Sequence, residues 1–225
     1  MSGGRHMRLC VAPAAAVLAT LALAALPACR ILSIETEQQQ PNDASRSSFD
    51  AASFVSTSWD QRVLPYFKTK AADLSQVLNG SATDFNQTAA RWGRRLGDVN
   101  GPVSFAVEGS GVVTALNTES RAGTASVDVQ TDTGTKSVTL QVGPVVRCNA
   151  IRDSLPFVSF QDFTNQIEFA QAGRALTDRA MAGVKPAVAA LKGGQRVHFS
   201  GAMTMTKATD PAVITPVLLQ AEPSP

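Results

Sequence analysis

The chain has two histidines, and one of them, His6, lies in its first ten residues. Any Ser–His–Asp or Cys–His scheme further along must therefore use His198 as its base. Cys148 is the thiol available to it. No Gly-x-Ser-x-Gly run is present, and no strand-to-helix elbow carries Cys148. Metal-ligand spacing is missing too, because there is no His pair and no carboxylate-rich loop. Gly109-Ser110-Gly111 sits inside a predicted strand instead of ahead of a helix, so it does not read as a phosphate loop. The dense polar constellation is Arg147, Arg152, Asp153, Asp162, Asn165, Gln166 and Glu168. A glycosidase would set two of its carboxylates a few ångströms apart across a cleft. Asp162 and Glu168 are six positions apart, roughly 600° of helical rotation, and so point to different faces. Asp153 could approach either. In the structural reading Arg152 and Asp153 pin the loop before a helix, Asp162 caps that helix, and Asn165 and Gln166 satisfy buried backbone groups. The expectation is a set of structural or contact residues, with no catalytic group, no metal and no cofactor.

The elements that place these side chains begin near residue 49. Val55, Trp59, Val63, Phe67, Ala71, Leu74 and Leu78 form one apolar stripe at helical spacing. Ser48 or Asp50 caps it, Pro65 kinks it near Leu64, and Asn79-Gly80 stops it. A second helix is expected from Ser81, with Asp84 as a capping-box partner and Phe85, Ala89, Trp92 and Leu96 on one face. Trp59 and Trp92 could stack on a sugar ring, but their place on the apolar stripes reads as core. Arg91, Arg94 and Arg95 read as a solvated helix end.

After Gly97 the period changes to two. Val103 to Leu116 is a long strand with Gly109 and Gly111 at a bulge or bend. Thr124 to Gln130 and Lys136 to Val142 are joined by the Asp132-Thr133-Gly134 turn. Phe163, Ile167 and Ala170 begin a helix, and Arg174 to Val184 continues it until Pro186. Arg196 to Thr206 and Ala212 to Ala221 are the last two strands. Three strands, a helix and two strands is the connectivity of the OB-fold. The fold class is thus α+β: a helical subdomain over 49–98, then a five-stranded OB-like barrel over 99–225 with a helical insertion between strands 3 and 4. An open antiparallel sheet with helices on one face is the alternative.

The first 28 residues read as an export signal. Arg5, His6 and Arg8 precede the uncharged run Leu9 to Leu26. By length alone that run stands at the lower margin of a spanning helix. Leu26-Pro27-Ala28-Cys29 resembles the bacterial lipobox, whose cysteine sulfur receives diacylglycerol, although Pro27 departs from the usual small residue. Residues 29–48 follow as a polar tether, in which Ile31, Leu32 and Ile34 could instead pack on the body. The chain has 20 basic and 18 acidic residues, and Arg5 and Arg8 account for the difference. The exported body is therefore neutral, with no electrostatic footprint for nucleic acid. With Cys10 in the leader and Cys29 lipidated, Cys148 is left without an internal disulfide partner.

The run Gly143 to Ala170 is similar to a family of predicted bacterial periplasmic lipoproteins known as domain of unknown function twenty-two ninety-one. Its most specific part is Asp162-Phe163-Thr164-Asn165-Gln166-Ile167-Glu168. Phe49-Asp50-Ala51, Trp59, Val63-Leu64-Pro65, Glu119 to Thr124 and Ile214 to Val217 extend the likeness over nearly all of the exported chain. Cys148-Asn149 departs from the small residues expected there. The resemblance implies a helical subdomain joined to an OB-like barrel and a lipid-anchored periplasmic protein. It also implies a setting beside sugar ABC transporters, with a permease or periplasmic binding protein as partner. The other reading is direct binding of a small sugar on the barrel face or in a helix–barrel groove. Replacement of Cys29 by Ser is expected to release the chain from salt-washed membranes; a variant that still sediments with them would show another mode of attachment.

Overall fold

The computed structural model describes residues 49–146 and 149–222. The leader, the tether with Cys29, and Arg147 and Cys148 lie outside the described residues. Helix α1 (Ala51–Ser58) starts at Asp50, whose Oδ1 accepts from the backbone N–H of Ala52 at 2.9 Å and of Ser53 at 3.2 Å. The chain passes through a π turn, Trp59–Val63, into α2 (Leu64–Thr69). The Leu64 N–H bonds to the Trp59 carbonyl, and Pro65, which has no N–H, follows at once. The expected kink is thus a widened turn, and the helix continues past it.

The apolar stripe divides in two. Val55, Trp59, Val63 and Phe67 are buried in one cluster, whereas Leu74 and Val77 enter the barrel interior. Between them β1 (Ala72–Asp73) interrupts the helix, and Asp73 caps α3 (Leu74–Thr83) by accepting from the Gln76 N–H at 2.9 Å. Asn79-Gly80 does not stop α3. Gly80 is tolerated because Thr88 and Trp92 pack where its side chain would be. Ser81 lies inside α3, and Asp84, extended at φ −150°, is itself the cap of α4 (Phe85–Trp92).

Strand β2 (Gly93–Arg95) pairs antiparallel with the start of β3 (Val103–Asn117), and β1 pairs parallel with its middle. Strands β4 (Thr124–Thr131) and β5 (Gly134–Gln141) form the expected hairpin. After α5 (Ala150–Ser154), a 3-10 turn (Phe160–Asp162) and α6 (Gln166–Ala190) come β6 (Arg196–Met205) and β7 (Val213–Ala221). The order β3-β4-β5-β7-β6 closes back on β3. The parallel β5–β7 contact at Thr139↔Val213 and Leu140↔Ile214 completes a five-stranded barrel. The described residues form one compact unit, with β1 and β2 tying the helical segment into the barrel sheet.

Helix α6 runs through Pro186 instead of ending there. The carbonyl left without its N–H partner, on Ala182, is on an exposed turn where water can bond to it, while Val184 and Leu191 hold the flanking turns to the barrel core. Among the described residues no helix is long and apolar enough to cross a membrane.

Closure depends on β3, which pairs with β6 over Val103–Val112 and with β4 over Val112–Asn117. The register slips between Val113 and Ala115, just beyond the two glycines. At Gly111 a Cβ would lie 2.4 Å from the Asp128 carbonyl oxygen and 2.7 Å from Val127. Gly111→Ala must shift the β4 backbone and is expected to cost about 1–3 kcal/mol or more, read as a lower urea midpoint. An unchanged midpoint would show that β4 does not pass as closely as described.

Candidate functional site

The predicted polar constellation does not converge on a cleft. Arg152 is 7% exposed, and each nitrogen of its guanidinium has a partner within the protein. Its Nη1 donates to the Phe169 carbonyl at 2.9 Å, and both Nε and Nη2 reach Asp153 Oδ1 at 2.7 Å. The same guanidinium lies 3.6 Å from the centroid of the Phe169 ring. Gly173 on α6 makes room for it, since a Cβ there would stand 3.1 Å from Arg152 Nη1 and 2.6 Å from Asn149 Oδ1. Burial raises the Asp153 carboxyl above its ordinary value, and the neighbouring Arg152 and Arg94 only partly oppose that.

Arg94 is the member that sequence reasoning missed. It sits on β2, and its guanidinium donates to the Asp153 carbonyl at 3.2 Å and to the Val158 carbonyl at 2.7 Å. Burial lowers its pKa, with Asp153 acting against that. The residue next to an exposed helix end is therefore a clamp on the segment after α5, and a glycine followed by an extended Arg-Arg pair was the available signal.

Asp162 does not cap α6. It is exposed and closes a capping box on the 3-10 turn, accepting from the Ser159 N–H at 2.7 Å. Asn165 is the cap of α6, accepting from Ile167 at 2.9 Å and Glu168 at 3.0 Å. Gln166 begins α6 with an exposed side chain. Glu168 is buried and accepts from the Thr164 N–H at 2.9 Å. Arg152, Asn165 and Glu168 thus bond to backbone groups and Asp153 pairs with Arg152, while Arg147 lies outside the described residues.

Two open surfaces lie elsewhere. A depression of about 500 Å³ lies on the outer face of β3, β6 and β7, beside the end of α2. Cross-strand register sets Ser110, His198 and Gln220 in one row, and Glu108, Ser200 and Leu218 in the next. Ser200 donates to the Phe67 carbonyl at 2.8 Å and ties α2 to the wall. His198 Nε2 is 2.7 Å from Glu222 Oε1, on an exposed edge. The second surface is a trough of about 570 Å³ between the C-terminal half of α6 and the ends of β3 and β5, walled by Leu116, Val142, Pro144, Met181, Val188 and Leu191. Strand alternation gives the outward residues of the first surface, but the trough needs α6 to continue beyond Pro186.

A lipobox-type leader joined to a closed five-stranded barrel with a helical insertion defines an exported OB-fold protein. Residues 19–220 match the family described as predicted periplasmic lipoprotein (DUF2291), and the chain belongs to that family, a lipid-anchored periplasmic one. A crystal structure of an OB-fold protein from Thermotoga maritima is similar, with a TM-score of 0.62 and 16% identity over 77% of this chain and 99% of that one. That likeness shows the fold. A search of curated proteins returned no match.

Arg94→Met leaves two carbonyls without their charged donor and is expected to lower stability by about 2 kcal/mol, measured by urea unfolding. A loss within about 0.5 kcal/mol would show that Arg94 is not a clamp.

Proposed function

We propose that the protein is a lipid-anchored accessory of a sugar ABC uptake system that works by contact with the permease or its binding protein and performs no catalysis. The observation carrying this reading is the apolar trough along α6, which is roomy enough for a partner's side chains and has exposed Ala182, Lys185 and Ala189 beside its wall. The non-catalytic part is supported by the polar constellation, whose buried Arg152 guanidinium is spent on one carbonyl and one carboxylate. It is supported also by His198, whose bonded partner is Glu222 and not a serine.

A second reading is favoured by the depression at His198. Glu108, Gln220 and Lys68 offer both donors and acceptors beside Leu218, the chemistry that holds a small sugar. The two readings separate in one experiment: mild crosslinking of the lipidated protein in its own membranes, followed by mass spectrometry. The contact reading expects a transporter permease or binding protein, recovered with the native chain and lost with Ala182→Glu and Ala189→Glu, which lie on an exposed helix face. Recovery unaffected by both changes would contradict it. If no transporter protein is recovered, a saturable rise in melting temperature with a monosaccharide, abolished by Glu108→Gln, would favour the second reading.

A further inference from the structure

Five of the ten phenylalanines gather at one corner of the body. Phe49 packs edge-on against Phe163 at 5.2 Å between centroids, Phe54 meets Phe163 at 5.8 Å, and Phe163 meets Phe169 at 5.4 Å. Phe160 stands against Phe169 at 5.6 Å. Arg152 supports Phe169 from the protein side, so the corner is rigidly backed. Its outermost apolar groups remain uncovered: Phe160 is 44% exposed and Ile167, on the first turn of α6, 59%. These rings do not belong to the trough, whose wall at Met181 lies about 20 Å along α6 from Ile167, at about 1.5 Å per residue.

The chain from the lipid-bearing position enters the body at this same corner. Cys29 and Phe49 are twenty positions apart, so the corner is never more than about 70 Å from the anchor, at 3.3–3.6 Å per residue. A group confined to that distance has an effective concentration at the membrane in the millimolar range. A contact with only millimolar affinity is then occupied about half of the time or more. That is the strength a few partly exposed apolar side chains can supply, and it would go unnoticed in an untethered protein. The exposed charges beside the rings are Asp50, Asp162 and Arg62, a net acidic set. Attraction to anionic headgroups therefore cannot supply the contact, and the lipid interface suits it through its apolar layer, where aromatic side chains settle.

We propose that the corner formed by Phe49, Phe54, Phe160, Phe163 and Ile167 rests in the interfacial layer of the bilayer that holds the lipid anchor, giving the body a fixed orientation. This goes beyond the contact reading above, and neither depends on the other.

The test uses the full lipidated chain in phosphatidylcholine vesicles. Phe160→Trp places a reporter at the corner, and Thr133→Trp places one on the distant β4–β5 turn. Brominated phosphatidylcholine is expected to quench the added fluorescence of Phe160→Trp several-fold more than that of Thr133→Trp, with little change in high salt. A third chain, Phe160→Trp with Ile167→Ser, is expected to lose most of that quenching while keeping the melting temperature. Equal quenching at the two positions overturns the proposal. Quenching that requires anionic lipid or disappears in salt overturns its apolar basis. Protection of the corner only when transporter protein is present assigns it to a protein partner instead.

Discussion

The Arg152 guanidinium joins α5 to α6. It bonds to Asp153 at the end of α5 and to the Phe169 carbonyl on α6, and it stacks on the Phe169 ring. Arg94 adds the barrel side, reaching from β2 to the carbonyls of Asp153 and Val158. A charge this deeply buried is costly unless it is paired and hydrogen-bonded, and here each guanidinium nitrogen has a partner. Consequently the segment from α5 to α6 is held against the barrel wall by polar bonds as well as by Ile151 and Leu155. The aromatic corner, which depends on where Phe163 and Phe169 sit, takes its position from the same bonds.

The barrel sets the second constraint. Strand β3 must serve two neighbours, and the absent side chain at Gly111 lets the Asp128 carbonyl pass close enough for β4 to join where β6 leaves off. Once closed, the barrel has an outer face that is apolar at Ala106, Ala202 and Val217, under the helices. That face turns polar at Ser110, His198 and Gln220, where the helices end. The open depression follows from that boundary. The trough has a different origin, in α6 overrunning Pro186 and holding Val188 and Leu191 against the open end near Leu116 and Val142.

Much of the barrel was legible because Ala125, Val127 and Val129 alternate cleanly against polar neighbours, with Asp132-Thr133-Gly134 turning the hairpin. The helix after the polar run was legible but its cap was placed at Asp162, which took a separate turn of its own and left the cap to Asn165. The failures share a cause, which is contact between residues far apart in sequence. Pro186 carries a local stop signal that packing of the flanking apolar residues overrides. Helix α5 is only Ala-Ile-Arg-Asp-Ser, too short to show a period, and it is held by Arg152 against Gly173. Arg94 looked like part of an exposed basic turn because its partners lie 59 and 64 residues further along. The division of the first stripe at Thr69 was likewise hidden, since Phe67 and Leu74 are equally apolar and only the sheet pairing of Ala72 and Asp73 separates them.

The central claim is that the Arg152 cluster is a clamp and not a ligand site. The most direct test is native-state hydrogen exchange in Arg152→Met compared with the unaltered protein. The account predicts faster exchange of the amides from Val158 to Phe169, with barrel amides such as Phe105, Val127 and Met203 retaining their protection. Exchange of that segment unchanged by the substitution would contradict it and return the cluster to the candidates for binding.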